Sequence, residues 1–263
     1  MASPDARATG AAVTVGIDVA SQPAGTAACH VHWEQGGATV ISVEHDVDDS
    51  RLAALLVAPV ARIGLDVPLG WPDRFVEAVG RHHAGRPFGA SPAARLARRE
   101  TDRWVQESIH QLPLSVSTDR IAYPAMRVAR VLGELAGAAV DRSGTGRIVE
   151  VYPAAALRQW GLPHRGYKGR AGRPALTALL DSLRQRSPWL TAGAATWSET
   201  TRTDHSFDAL VCALVARARQ LDLCHAIPDG MQDAAAREGW IAVPLSGSLE
   251  RLPSEGAPDL AAG

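Results

Sequence analysis

The sequence is short of cysteine. Three occur in 263 residues, Cys29, Cys212 and Cys224, and none sits in a CxxC pair. An odd count without paired spacing excludes a disulfide framework and a thiolate zinc site, so the three read as buried thiols. Long apolar runs are missing too: nothing approaches the roughly 18 consecutive apolar residues of a membrane-spanning helix. The opening residues, MASPDARATG, hold neither a basic n-region nor an apolar h-region, and the chain reads as cytoplasmic, without membrane association. Net charge is nearly absent, since 27 Lys plus Arg face 28 Asp plus Glu. No global field marks an affinity for nucleic acid or membrane, and any electrostatic footprint must be local. Lysine itself is almost missing: Lys168 is the only one, and arginine carries the rest of the positive charge. Internal repeats are absent as well.

What is present is a globular composition, 46% hydrophobic, enough at this length to bury a substantial core in one large domain or two small ones. Three β-branched runs, residues 12–19, 26–33 and 38–45, are separated by SQPAG and EQGG, and read as an antiparallel meander. Asp48, Asp49 and Ser50 offer N-caps for a helix through Leu52, Leu55 and Leu56, which Pro59 closes before a fourth strand, ARIGLD. The pattern then becomes helical over WPDRFVEAVGRHH, breaks at GRPFGASP, and resumes as a helix opened by Pro92 through RLARRETDRWVQESIHQL and another over 124–140. A fifth strand, RIVEVYP, follows. After it come a short helix, AALRQW, a glycine-rich loop, GLPHRGYKGRAGR, and helices over ALTALLDSLRQR and HSFDALVCALVARARQL. The order βββαβ-α-β-α suits a mixed sheet whose fourth and fifth strands run parallel to the first, because crossover helices permit those pairings. Residues 1–11 read as a flexible N-terminus and 246–263, rich in Pro, Gly and Ser, as a disordered tail.

Two strands end alike. VTVGID and ARIGLD each finish on a Gly-apolar-Asp step, and parallel neighbours would bring Asp18 and Asp66 together. Glu150 adds a third acid inside RIVEVYP, where an unpaired charge is costly. His205 and Asp208, at i and i+3, share one face at the start of the last long helix. The small residues Ala209, Cys212, Ala213 and Ala216 let that helix approach the sheet and carry its first turn towards the acidic strand ends. Converging anions repel strongly at low dielectric, and Mg²⁺ or Mn²⁺, hard cations that prefer oxygen ligands, resolve the conflict. Asp18, Asp66, Glu150 and Asp208 are the candidate metal ligands, with His205 as a further ligand or a proton carrier. A pair of such ions about 3.5–4 Å apart suits phosphodiester hydrolysis.

The motifs GIDVA, GLDVPLGWP, ARRETD, VEVYPAAAL, YKGRAGR, DHSFDALVCALVARA and EGWIAVP together resemble a family of predicted nucleases of ribonuclease H-like fold, domain of unknown function 429. The likeness runs over about residues 13–244. It implies a ribonuclease H-like α/β domain over 12–245: a mixed five-stranded sheet, flanking helices, and a helical insertion at about 71–145 between the fourth and fifth strands. More remotely, GID with a late HxxDA helix is similar to RuvC-type Holliday-junction resolvases. That likeness implies metal ligation by Asp18 and Asp66, with His205 and Asp208 as the late-helix pair.

Positive charge gathers in two segments, 81–103 and 158–186. Arg98, Arg99, Lys168 and Arg173 are the candidate contacts to phosphates. The reading is a metal-dependent nuclease acting on DNA or RNA, with a homodimer left open. Two alternatives differ in class. A phosphotransferase of the sugar-kinase and actin superfamily needs glycine-rich phosphate hairpins, which SQPAG does not supply, and a second such unit. A non-catalytic nucleic-acid-binding module would keep the fold without metal-dependent turnover.

Overall fold

The computed structural model describes residues 13–135 and 141–254. Strands β1 (Val13–Asp18), β2 (Ala27–Glu34) and β3 (Gly37–Glu44) form the meander, and α1 (Asp49–Val57) leads to β4 (Arg62–Asp66). The insertion supplies α2 (Asp73–His83), α3 (Ala93–Ala97), α4 (Glu100–Ile109) and α5 (Ala122–Leu135) before β5 (Ile148–Glu150). There follow α6 (Pro153–Gln159), α7 (Arg173–Arg186), β6 (Leu190–Thr191), α8 (Ala194–Thr200), α9 (Asp204–Gln220) and α10 (Gln232–Glu238). The sheet order is β5-β4-β1-β2-β3-β6. β1 to β3 are antiparallel, and β4 and β5 are parallel to β1. This is the expected ribonuclease H-like topology with one addition, the two-residue edge strand β6, which pairs parallel with β3.

Period-two alternation divides the sheet between two cores. Val15, Ile17, Ile63 and Leu65 face one side, where they pack with Leu52, Leu55 and Leu56 of α1 and Val128 and Val131 of α5. On the other side β1 and β4 present Thr14, Gly16 and Gly64, and α9 lies against them. Buried continuously from Ser206 to Ala218, this helix is a core element with no solvent face over that span. Its approach is so close that a Cβ on Gly16 would stand 1.9 Å from the Ala209 carbonyl, and one on Gly64 2.3 Å from that of Cys212.

The shared Gly-apolar-Asp step now has a physical reason. Gly16 registers with Gly64 and Asp18 with Asp66, and residues two apart lie on the same face. Thr14 Oγ1 donates to the Ala213 carbonyl, Gly16 meets Ala209, and Asp18 meets His205. Two strand residues advance about 6.6 Å and four helical residues about 6 Å, so β1 and α9 run antiparallel nearly in step. The glycines admit the helix, and the next residues on the same face reach its first turn.

That turn is pinned by its cap. Thr203 Oγ1 accepts from the Ser206 amide, the Ser206 hydroxyl lies 3.3 Å from His45 Nδ1, and His45 Nε2 lies 2.7 Å from Glu199. Serine, histidine and glutamate in line have the look of a nucleophilic triad, but Ser206 is wholly buried and serves the cap.

The structure departs from the sequence reading at several elements. The helix expected from Pro92 to about residue 112 is two, α3 and α4, broken at Arg98 and Arg99, both in extended conformation. The break turns Arg99 inward. The short helices α8 and α10 and strand β6 are additions. Part of the stretch expected as a disordered tail is folded: Leu249 and Leu252 are fully buried in the core, and Leu249–Arg251 forms a 3₁₀ turn. The flexible N-terminus expected at 1–11, the helix end at 136–140 and the tail from 255 lie outside the described residues.

Gly16→Ala should destabilise the fold by about 3 kcal/mol or more, because backbone rather than a mobile side chain blocks the new methyl. Gly80→Ala, in open space on α2, should stabilise by roughly 0.5–1 kcal/mol. Urea unfolding of both variants checks the pair, and equal midpoints would contradict the packing described.

Candidate metal centre

Three carboxylates converge where β1 and β4 leave the sheet under the start of α9. Asp18, Asp66 and Asp208 each place an oxygen within 4.8 Å of the others. Asp18 and Asp208 are buried, and Asp66 is half-buried. Burial and mutual repulsion both oppose the charge of two of them. Burial, then the neighbouring Asp18 charge, pushes the Asp66 carboxyl well above the usual range. Asp208 is raised to about 6, again first by burial, with Lys168 pulling against it.

Asp208 is held on both oxygens. The Tyr167 hydroxyl donates to Oδ1 at 2.8 Å, and the Lys168 ammonium forms an ion pair with Oδ2. Both donors come from the glycine-rich loop between α6 and α7. Lys168, half-exposed, is the one lysine or arginine in direct contact with the cluster among the described residues. His205 Nδ1 lies 3.2 Å from Asp18 Oδ2. That bond, outweighing burial, raises the imidazole pKa above its ordinary value. Asp204, one turn ahead of Asp208, is not among the three clustered carboxylates.

Glu150 does not join the cluster, which corrects its assignment as a metal ligand. Its Oε1 accepts from Arg99 Nη2 at 2.7 Å, and its Oε2 from Arg99 Nη1 at 2.9 Å and the Leu69 amide at 3.0 Å. The same guanidinium binds both oxygens of Asp102 and the Glu238 carbonyl, so its donors form five hydrogen bonds to the protein. Burial disfavours the charge, but Glu150 and Asp102 outweigh it and hold the arginine pKa above its ordinary value.

Arg99 is therefore a buried strut tying the insertion to β5 and α10. It is 1% exposed and has no donor left for a phosphate, which corrects its assignment as a substrate contact. Arg98 donates to the Pro113 carbonyl. Arg173, exposed at the start of α7, donates to the Arg202 carbonyl at 2.7 Å. Of the four basic candidates, Lys168 alone touches the carboxylates.

A cavity of about 410 Å³ opens beside the cluster, with Asp18, Asp66 and Lys168 in its lining. Tyr167 and the cavity residues Gln111 and Tyr152 were not singled out by the sequence reading. For Tyr167 a signal existed, since it adjoins the sole lysine. Gln111 carries none, because only the folded insertion brings it there.

The donor set fits a hard divalent cation. All three groups are carboxylates, among the described residues no donor hydrogen-bonds the Asp66 carboxylate, and three ionised aspartates plus Lys168 sum to a charge of −2, or −1 with His205 protonated.

The raised pKa of Asp66 has a consequence for stability. Because the folded value lies above the unfolded one, the group's contribution is present below the unfolded pKa and lost as pH rises through the folded pKa. Asp66→Asn should change metal-free stability little near about pH 4 and raise it above about pH 7. Mg²⁺ should raise the melting temperature of wild type and not of the variant. Urea and thermal unfolding at both pH values check this; a variant less stable than wild type at the higher pH would contradict it.

Among the described residues, no helix is long and apolar enough to cross a membrane. No curated protein and no solved structure matches the chain. A family described as protein of unknown function (DUF429) matches residues 16–233, a span that holds Asp18, Asp66, Lys168 and Asp208. The chain belongs to the DUF429 family.

Proposed function

We propose that this protein is a divalent-metal-dependent nuclease that hydrolyses phosphodiester bonds in DNA or RNA. The observation that carries the reading is the convergence of Asp18, Asp66 and Asp208 within 4.8 Å at the ends of two parallel strands and the start of a helix. Asp18, Asp66 and Asp208 would hold Mg²⁺ or Mn²⁺. When bound, such an ion activates water and neutralises charge on the phosphate being cleaved. A second ion would lack Glu150 as a protein ligand and would depend on substrate oxygens.

The chain's own groups divide the remaining work. Lys168, a compact charge on a glycine-rich loop, pairs with a non-bridging phosphate oxygen, and Tyr167 keeps Asp208 oriented while it does so. His205, whose pKa Asp18 raises, is the group placed to deliver a proton to the leaving oxygen. Asp18 fixes the ring for that task through Nδ1. The Lys168–Asp208 pair also favours a second reading, in which the ammonium permanently replaces a metal and the domain binds nucleic acid without cleaving it.

Purified protein should cleave nucleic acid in Mg²⁺ or Mn²⁺. Asp18→Asn should reduce turnover to background without unfolding, because Asn keeps the size of the side chain and removes the charge a metal needs. Ca²⁺ should support binding with little turnover, since its looser coordination positions water poorly. The assay needs branched, single-stranded, duplex and hybrid substrates, with ATP consumption as the control for phosphotransfer. Inactivity on all of them, with no metal binding by calorimetry, would leave the non-catalytic reading.

A further inference from the structure

The cavity beside the carboxylates is lined by two kinds of group, the charged side chains of the cluster and a larger apolar and aromatic set. Asp18, Asp66 and Lys168 make up the first. Arg99 and Glu150 also line it but are spent on each other, and most of the remaining lining is apolar or aromatic, with Pro113, Leu114 and Ile121 from the insertion and Tyr152 from the exit of β5. Its volume, about 410 Å³, lies in the range of pockets that enclose small molecules, roughly 300–1,000 Å³. The amide of Gln111 is fixed among these groups: Nε2 donates to the Tyr152 hydroxyl at 3.1 Å, and Oε1 accepts from Arg165 at 3.4 Å. Leu114, on the wall, is an apolar side chain left 56% exposed.

A nucleotide carries the same two kinds of group, with a charged phosphate at one end and a flat base with apolar faces at the other. We infer that the cavity receives the base of one unpaired nucleotide whose phosphate lies at Lys168 and the aspartates. The substrate is then single-stranded or frayed nucleic acid, or a free nucleotide of the same chemistry. This rests on the metal-dependent reading above and narrows its substrate. A base inside an intact duplex is stacked on both faces, and entry into a walled cavity requires it to leave the stack. An unpaired base meets no such cost, and Tyr152 offers it a ring to stack on.

Binding in Ca²⁺ tests the inference without needing turnover. The probes are a nucleoside 5′-monophosphate, deoxyribose 5-phosphate, a short single strand, and its blunt duplex. The monophosphate should bind at least about fivefold more tightly than the base-less sugar phosphate, the lower end of what base stacking contributes. The single strand should bind more tightly than the duplex. Ala154→Phe, which puts a ring into the cavity from the first turn of α6, should abolish both preferences and leave Ca²⁺ binding by calorimetry intact. If that variant misfolds, Leu114→Asp on the exposed wall serves the same comparison.

Equal binding of monophosphate and sugar phosphate, equal or tighter binding of the duplex, or preferences that survive in a folded cavity variant would each overturn the inference. Monophosphate binding without strand binding would assign the cavity to free nucleotides and overturn the strand assignment. Ca²⁺ binding with no binding of either small probe would remove the cavity while leaving the metal centre standing. Failure of Ca²⁺ itself to bind would remove the underlying reading and this one with it.

Discussion

Everything at the candidate site depends on how closely α9 lies against β1 and β4. Side chains at positions 16 and 64 would hold the helix off the sheet, and glycine at both removes that spacer. Once the helix is seated, every two residues of β1 keep step with four of α9, and Asp18, Asp66 and Asp208 have little freedom to separate. Packing on both faces of the sheet therefore pays for an arrangement that electrostatics opposes. Burial first, and then the neighbouring aspartate charges, raise the pKa values of Asp66 and Asp208 accordingly. Such conflict between core packing and local charge is expected at functional positions, where stability is given up for chemistry.

Two cations answer the conflict in different ways. Arg99 is enclosed, satisfied at every donor, and locked between Glu150 and Asp102, so it fastens the insertion to the sheet and defines one wall of the cavity. Breaking such a buried pair from one side leaves an uncompensated charge and is costly. Lys168 is half-exposed, on a loop with glycines at positive φ on either side, Gly166 and Gly169. Its charge can follow a ligand in a way the guanidinium cannot. The fixed cation holds Glu150 and Asp102 and builds the cavity wall, while the adaptable one pairs with Asp208 at the cluster itself.

Much of this was legible in the sequence, for identifiable reasons. Strand periodicity and the repeated Gly-apolar-Asp step placed Asp18 and Asp66 side by side, and the i, i+3 spacing put His205 and Asp208 on one face of a helix rich in small residues. These signals are local, or repeat at a fixed interval. Glu150 was misread because its partner Arg99 lies 51 residues away, at a helix break that an arginine-rich run does not announce. Arg99 was misread for the same reason, since charge in a sequence reads as surface unless its partner is visible. β6 is two residues long, too short for any alternation to show, and α8 and α10 are seven residues each, without a strong apolar stripe. Leu249 and Leu252 fill the core from a stretch whose Pro, Gly and Ser content resembles a disordered tail.

The central claim is that the three aspartates form a cation site. Anomalous diffraction from crystals soaked in Mn²⁺ tests it most directly. The account predicts a peak within ligand distance of Asp18 and Asp66, absent from Asp18→Asn crystals grown and soaked in the same way. A wild-type map without a peak at that place, with Lys168 still paired to Asp208, would contradict it and make the ammonium the permanent counter-ion of the cluster.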